Sequence, residues 1–243
     1  MDVRIQLRFY AELADLAGEV ETEAPFGEPR SVKDLIEALG VPHPEVALIL
    51  VGGHPVGFDH LLVGGERVAV YPPFHGIELQ GVTTVTPEPI EPRFVLDVHL
   101  GTLTRRLRLL GFDCWYRTDA DDDRLARVAV EDRRILLTRD RGLLMRRVIS
   151  HGYCPRSHDP ELQALEVIRR FDLMDQLAPL TRCVRCNGEL RGVEKEQVLD
   201  QLPPRTRVEF DEFARCDSCG QVYWPGSHVD AVNGFLVRAA NGG

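Results

Sequence analysis

The sequence predicts a multidomain chain of mixed α/β and α+β class, with a small C-terminal module closed around a metal. Three observations carry this. Residues 3–10 alternate apolar and polar, and a capped helix and further short strands follow within about 75 residues. Residues 94–140 alternate short apolar strands with amphipathic helices, the pattern of a parallel sheet with crossover helices. Cys183-Val184-Arg185-Cys186 and Cys216-Asp217-Ser218-Cys219 form two C-x-x-C pairs separated by the 29 residues 187–215.

At the N-terminus, Val3 to Tyr10 reads as a strand. Ser31 caps a helix from Val32 to Leu39 that Gly40 stops. Ala47 to Val51 and Val68 to Tyr71 read as strands, and Gly52-Gly53 and Gly64-Gly65 as turns. This order suggests a β-grasp, ubiquitin-like domain over residues 1–76. Residues 77–92 contain Pro87, Pro89 and Pro92 and read as a semi-extended linker.

Residues 93–178 then supply the α/β domain. Phe94 to Leu96 is a strand ending at Asp97, and Thr102 to Leu110 a helix stopped at Gly111. Phe112 to Tyr116 is a strand, Asp122 to Arg133 a helix, and Ile135 to Thr138 a strand ending near Asp140. A further helix spans about 159–172. The cysteine module occupies 179–230, and 231–243 reads as a flexible tail ending in Gly242-Gly243.

Each C-x-x-C pair presents two thiolates to one ion, and two pairs complete the four-sulfur set that Zn²⁺ takes at structural sites. Asn187-Gly188 and Gly220 follow the pairs, as tight turns around a metal require. A closed site has no open position for chemistry, so this metal is expected to build structure. Cys114 and Cys154 are expected as buried small hydrophobes.

Four cysteines in metal spacing point to a reducing, cytoplasmic setting. No apolar run approaches the roughly 20 residues that cross a bilayer, and no membrane association is expected. The net charge of −9 is unevenly spread. Residues 1–76 carry −7 and residues 161–243 carry −3, whereas 93–160 carry +4 with 14 arginines. The local field, not the total, decides what an anionic ligand meets.

In open parallel sheets, ligands bind beyond the carboxyl ends of the strands. Asp97 and Asp140 stand at such ends. Asp119, Asp121, Asp122 and Asp123 follow the middle strand and open the next helix. These four could cap that helix, or one could serve as a ligand. Asp122, three residues before Leu125, has the better spacing. Gathered carboxylates favour a hard cation such as Mg²⁺ or Mn²⁺. Arg105 and Arg108, three apart on one helix, and Arg139 and Arg141, flanking Asp140, suit phosphate oxygens. A sulfur-carrier role for the β-grasp domain is not expected, because Val70-Tyr71-Pro72-Pro73 runs into a linker where a carrier would end in Gly-Gly.

The stretches Phe94-Val95-Leu96-Asp97, Leu100-Gly101-Thr102-Leu103 and Arg105 to Asp113 resemble the Mut-seven C-terminal RNase family, a branch of the PIN-like nucleases. Arg134 to Asp140 looks like its third-acid motif, and both cysteine pairs, the second running on to His228, resemble its zinc ribbon. The N-terminal segment resembles the ubiquitin-like domain fused to that family in bacteria. The resemblance implies a PIN-like, metal-dependent RNase with Asp97, Asp122 and Asp140 as ligands of Mg²⁺ or Mn²⁺. RNA phosphates would lie along Arg105, Arg108, Arg139 and Arg141, with the ribbon near Tyr223, Trp224 and His228 adding base stacking. The alternative is a non-catalytic RNA-binding or adaptor protein whose ubiquitin-like domain recruits a protein partner.

Overall fold

Strand β1 (Arg4–Phe9) buries Ile5, Leu7 and Phe9 and exposes the residues between, so the alternation in the sequence is the alternation of the pleat. The structure is a computed structural model that describes residues 3–74, 84–226 and 234–235. After β1 come α1 (Leu13–Ala17), β2 (Glu21–Pro25), β3 (Arg30–Ser31), α2 (Val32–Ala38), β4 (Leu48–Val51), β5 (His54–Pro55), β6 (Leu61–Leu62) and β7 (Arg67–Tyr71). Ser31 caps α2 by accepting the Asp34 N–H at 3.1 Å. Gly52 and Gly53, at φ 57° and 86°, make the two-residue turn that pairs Val51 with His54. Two successive positive φ values are what such a hairpin needs, and glycine supplies them without strain.

These strands form a five-stranded sheet in the order β2-β1-β7-β4-β5. β1 and β7 run parallel, and β1–β2, β4–β7 and β4–β5 run antiparallel. A sheet with its first and last long strands parallel, and its main helix α2 between them in sequence, is the ubiquitin-like β-grasp. Val32, Leu35 and Ile36 of α2 are buried with Ile49, Val68 and Val70.

The α/β elements follow. β8 (Phe94–Leu96), α3 (Gly101–Leu109) and β9 (Cys114–Tyr116) come first, with β8 and β9 parallel and Phe94 opposite Cys114. α4 (Asp122–Glu131), β10 (Ile135–Leu137), α5 (Arg141–Leu144) and β11 (Gly152–Tyr153) come next, with β10 and β11 parallel. The short strand β11 was not expected from the residue pattern. Gly111 stops α3 at φ 100°, and a Cβ there would lie 2.2 Å from the Ala178 carbonyl oxygen. Only glycine fits that approach.

α6 (Pro160–Arg170) begins at Asp159, whose carboxylate accepts the Glu161 N–H at 2.7 Å. The cysteine module contains β12 (Leu190–Val193), α7 (Pro204–Glu209), β13 (Phe213–Cys216) and β14 (Val222–Tyr223), in an antiparallel sheet ordered β12-β13-β14. Val198, Leu202, Phe213 and Val222 form its small core. Residues 77–83 of the linker, His228, and the tail except 234–235 lie outside the described residues.

The chain divides into two compact units that interleave in sequence. One holds Met1–Glu91 with Asp122–Cys154, the other Pro92–Asp121 with Pro155–Gly243. In the first, Glu45 is fully buried and its carboxylate accepts the Cys154 N–H at 2.7 Å. In the second, α3 packs on α6, and Arg106 pairs with Glu161 at 3.8 Å.

Candidate metal centre and acidic site

Cys183, Cys186, Cys216 and Cys219 bring their sulfurs within 4.8 Å of one another. Cys183 to Cys219 is 3.6 Å and Cys186 to Cys216 is 3.4 Å. A disulfide is about 2.05 Å, so these are unbonded sulfurs, and all six cysteines are free thiols. A tetrahedron with zinc–sulfur bonds of about 2.3 Å has edges of roughly 3.8 Å, close to what is seen.

Both knuckles are built alike. The Asn187 N–H returns to the Cys183 carbonyl at 2.8 Å and the Gly220 N–H to the Cys216 carbonyl at 3.0 Å. Asn187 and Gly220 take positive φ, 71° and 73°. Gly188 lets the knuckles close: a Cβ there would lie 2.5 Å from Ser218 Oγ and 2.9 Å from Cys216 Sγ. Among the described residues, these cysteines are the group of three or more His, Cys, Asp or Glu side chains placed to share an ion.

The ionisation of the thiols agrees with that placement. Burial opposes ionisation of Cys183, but hydrogen bonds from the Tyr223 hydroxyl and the Cys186 and Arg185 N–H groups bring its thiol down to about 7. Burial and the neighbouring sulfurs push Cys186 up to about 12, although the Gly188 N–H pulls the other way. The two neighbouring thiols shift in opposite directions. A divalent cation removes that conflict by balancing the crowded negative charge.

The acids occupy strand ends. Asp97, 8% exposed, directly follows β8, and its Oδ1 accepts the His99 N–H at 3.4 Å. Asp140 follows β10 and Thr138. Its N–H donates to Thr138 Oγ1 at 3.0 Å, and its Oδ1 accepts the Leu143 N–H at 3.2 Å, capping α5. Asp122 opens α4, exposed, 3.7 Å from Arg146, which also meets Asp123 at 2.6 Å. Asp122 and Asp140 belong to one unit and Asp97 to the other.

Residues 92–236, well over half the chain, match the family described as the Mut7-C RNAse domain. The chain belongs to the Mut7-C RNAse domain family. Residues 2–78 match the Mut7-C ubiquitin family. Among solved structures, a Pyrococcus furiosus protein described as putative molybdopterin converting factor, subunit 1, is 30% identical over 30% of this chain and 99% of its own, with a TM-score of 0.25. Small archaeal modifier protein 1 of Haloferax volcanii is 18% identical over 30% of this chain and 99% of its own, with a TM-score of 0.26. No curated protein matches the chain.

The arginines of this Mut7-C domain differ in circumstance. Arg105 is exposed, but Arg108, expected beside it on one open face, is 5% exposed. The Arg108 guanidinium donates to the carbonyls of Cys114 at 2.8 Å, Val184 at 3.2 Å and Arg185 at 3.1 Å. Three residues on a helix is about 300° of rotation, and the remaining 60° or so is enough to take one side chain from solvent to core. Arg139 is exposed. Arg141 sends Nη1 to the Leu16 carbonyl at 2.6 Å and the Gly40 carbonyl at 3.4 Å, both in the Mut7-C ubiquitin segment.

Two contributors are invisible to motif spacing. Asn187 is more than a turn residue: its Oδ1 accepts the Cys114 N–H at 2.9 Å and its Nδ2 donates to Asp113 at 2.8 Å. With Arg108 it rivets the first knuckle to the strand and helix of the α/β region. Glu45 stands in the sequence as one more acid of an acidic segment. Its only sequence signal is a setting among His43, Pro44, Val46 and Ala47, all of which are buried. Cys114 and Cys154 are buried, at 0% and 6% exposure.

Proposed function

We propose that this Mut7-C chain is a metal-dependent ribonuclease with Asp97, Asp122 and Asp140 as the ligands of a catalytic Mg²⁺ or Mn²⁺, working in the cytoplasm with Zn²⁺ in the four-cysteine site. The observation that carries the reading is the placement of Asp97 and Asp140. Each stands at the carboxyl end of a strand from a parallel pair and turns the chain into the next helical segment. Membership of an RNAse family supports the reaction class.

Mg²⁺ commonly takes one or two carboxylates and completes its shell with water and substrate phosphate, so the acids need not form a closed cage. When bound, such a cation supplies Lewis acidity for displacement at phosphorus. The chain's own residues do the rest. The Leu143 and His99 N–H groups fix the two carboxylates in orientation. Arg105 and Arg139 hold backbone phosphates by charge, whereas Arg141 is tied to the Leu16 and Gly40 carbonyls. Arg108 supports that surface from beneath, through the carbonyls of the first knuckle. Among the described residues no helix is long and apolar enough to cross a membrane.

The test is cleavage of single-stranded and structured RNA by the full chain with Mg²⁺ or Mn²⁺, against Asp97→Asn and Asp140→Asn. The wild type should cut, chelator should stop it, and both variants should fall to the metal-free background. Cleavage undiminished in Asp97→Asn sinks the acid assignment. Tight RNA binding without cutting by any form supports the adaptor alternative.

A further inference from the structure

We propose that the groove between α3 and β14 holds one unpaired RNA nucleotide, with its base on Trp224 and its phosphate on Arg105 and Arg185; this rests on the RNA-directed reading above. The groove has a volume of about 420 Å³ and is lined by Arg105, Val184, Arg185 and Gln221 to Trp224. Every lining residue belongs to the same compact unit.

Charge selects the occupant. Most arginines nearby are committed: Arg106 to Glu161, Arg182 to Asp113, Arg191 to Asp217, and Arg108 to three carbonyls. Arg105 and Arg185 are exposed, and among the described residues neither guanidinium has an ion-pair or hydrogen-bond partner. Two uncommitted cations on one groove favour an anion, and their planar forks suit phosphate oxygens.

The aromatic wall selects a base. Trp224 is half-buried: part of it packs on the cluster of Val198, Leu202, Phe213 and Val222, and part lines the groove. Its position is set by a tight turn, the Gly226 N–H returning to the Trp224 carbonyl at 2.8 Å. A Cβ on Gly226 would lie 3.1 Å from the indole nitrogen. The opposite wall is equally fixed, because Arg108 pins the Val184 and Arg185 carbonyls from below. A preordered aromatic beside cations is the usual platform for a single-stranded base, and rigidity spares the entropy of arranging it on binding.

The experiment measures binding of a fluorescent single-stranded RNA and a matched duplex to the zinc-loaded full chain by anisotropy across a salt series. Arg105→Ala with Arg185→Ala should weaken single-strand binding about tenfold and lower the salt slope by about 0.7 for each phosphate no longer neutralised. Trp224→Ala should weaken it similarly, with Trp224→Phe restoring most of the affinity through its ring. Because Trp224→Ala touches a small core, ultraviolet crosslinking of wild-type protein to RNA, mapped by mass spectrometry, gives a second measurement and should mark Trp224 or Tyr223. Unchanged affinity in the double arginine variant, or equal dependence of duplex binding on the groove, overturns the proposal. If the wild type cleaves RNA while the groove variants bind normally, the groove fails and the nuclease reading stands. If binding maps to the groove but metal never yields cleavage, the groove stands and the nuclease reading fails.

Discussion

The carboxylate of Glu45 accepts a hydrogen bond from the backbone N–H of Cys154 at 2.7 Å, across 109 positions of sequence. Glu45 sits in a short 3-10 helix, His43–Glu45, and is 0% exposed. Arg141, next to Asp140, makes the second tie through the Leu16 and Gly40 carbonyls. The ubiquitin-like segment is therefore built into the same unit as β10 and α5 and holds the backbone beside Asp140.

Removing that tie should be costly. Glu45→Ala takes the acceptor from a buried N–H, which costs about 1–3 kcal/mol. Glu45→Gln keeps an oxygen acceptor and should be milder. Urea denaturation of both variants measures this, and hydrogen exchange should show weaker protection at 152–154 in Glu45→Ala. Wild-type stability in Glu45→Ala would mean the hydrogen bond carries no weight.

Arg108 should matter to the metal as well as to the fold. Arg108→Met keeps much of the aliphatic stem but strips donors from three carbonyls, a destabilisation of about 1–3 kcal/mol. Two of those carbonyls, Val184 and Arg185, lie inside the first C-x-x-C pair. Zinc affinity, read by competition with a chromophoric chelator, should fall in parallel. Arg108→Lys should rescue little, because one ammonium cannot reproduce the fork.

Zinc removal should act locally. Chelation should release hydrogen-exchange protection in 182–224 and leave the β1–β7 sheet largely protected. The module's own buried core is Val198, Leu202, Phe213 and Val222, too small to hold it without the ion. Release should become easier as pH falls, because thiolate ligands are protonated. A module that stays protected in the metal-free protein would show that its packing suffices.

His43 should give the first unit a pH dependence. Burial lowers its pKa below the ordinary 6.5, and Lys33 acts the same way. The 2.7 Å approach to Glu37, and a backbone hydrogen bond at Ile149, pull upward without prevailing. The folded state thus binds the proton less readily than the unfolded chain. This contribution to stability is complete above about 6.5 and declines as pH falls toward the lower folded value. Denaturation at pH 7.5 and 5.5 should show a larger drop in wild type than in His43→Gln. Equal drops would assign the pH dependence to other groups.

Local chemistry was legible in the residues alone. Alternation in Val3 to Tyr10 specified β1, Ser31 the cap of α2, and Gly52-Gly53 a turn, because each depends on neighbours a few positions away. The two C-x-x-C pairs announced one four-sulfur site, since a knuckle is local and only the meeting of two is not. The tertiary structure decided what distance along the chain conceals. Arg108 differs from Arg105 only by which side of α3 meets the first knuckle. Glu45 is distinguished from the other acids of its segment by a partner 109 positions away. Asn187 braces β9 as well as turning its own knuckle. A side chain's role follows from what surrounds it, and for these residues the surroundings are assembled only when remote parts of the chain pack together.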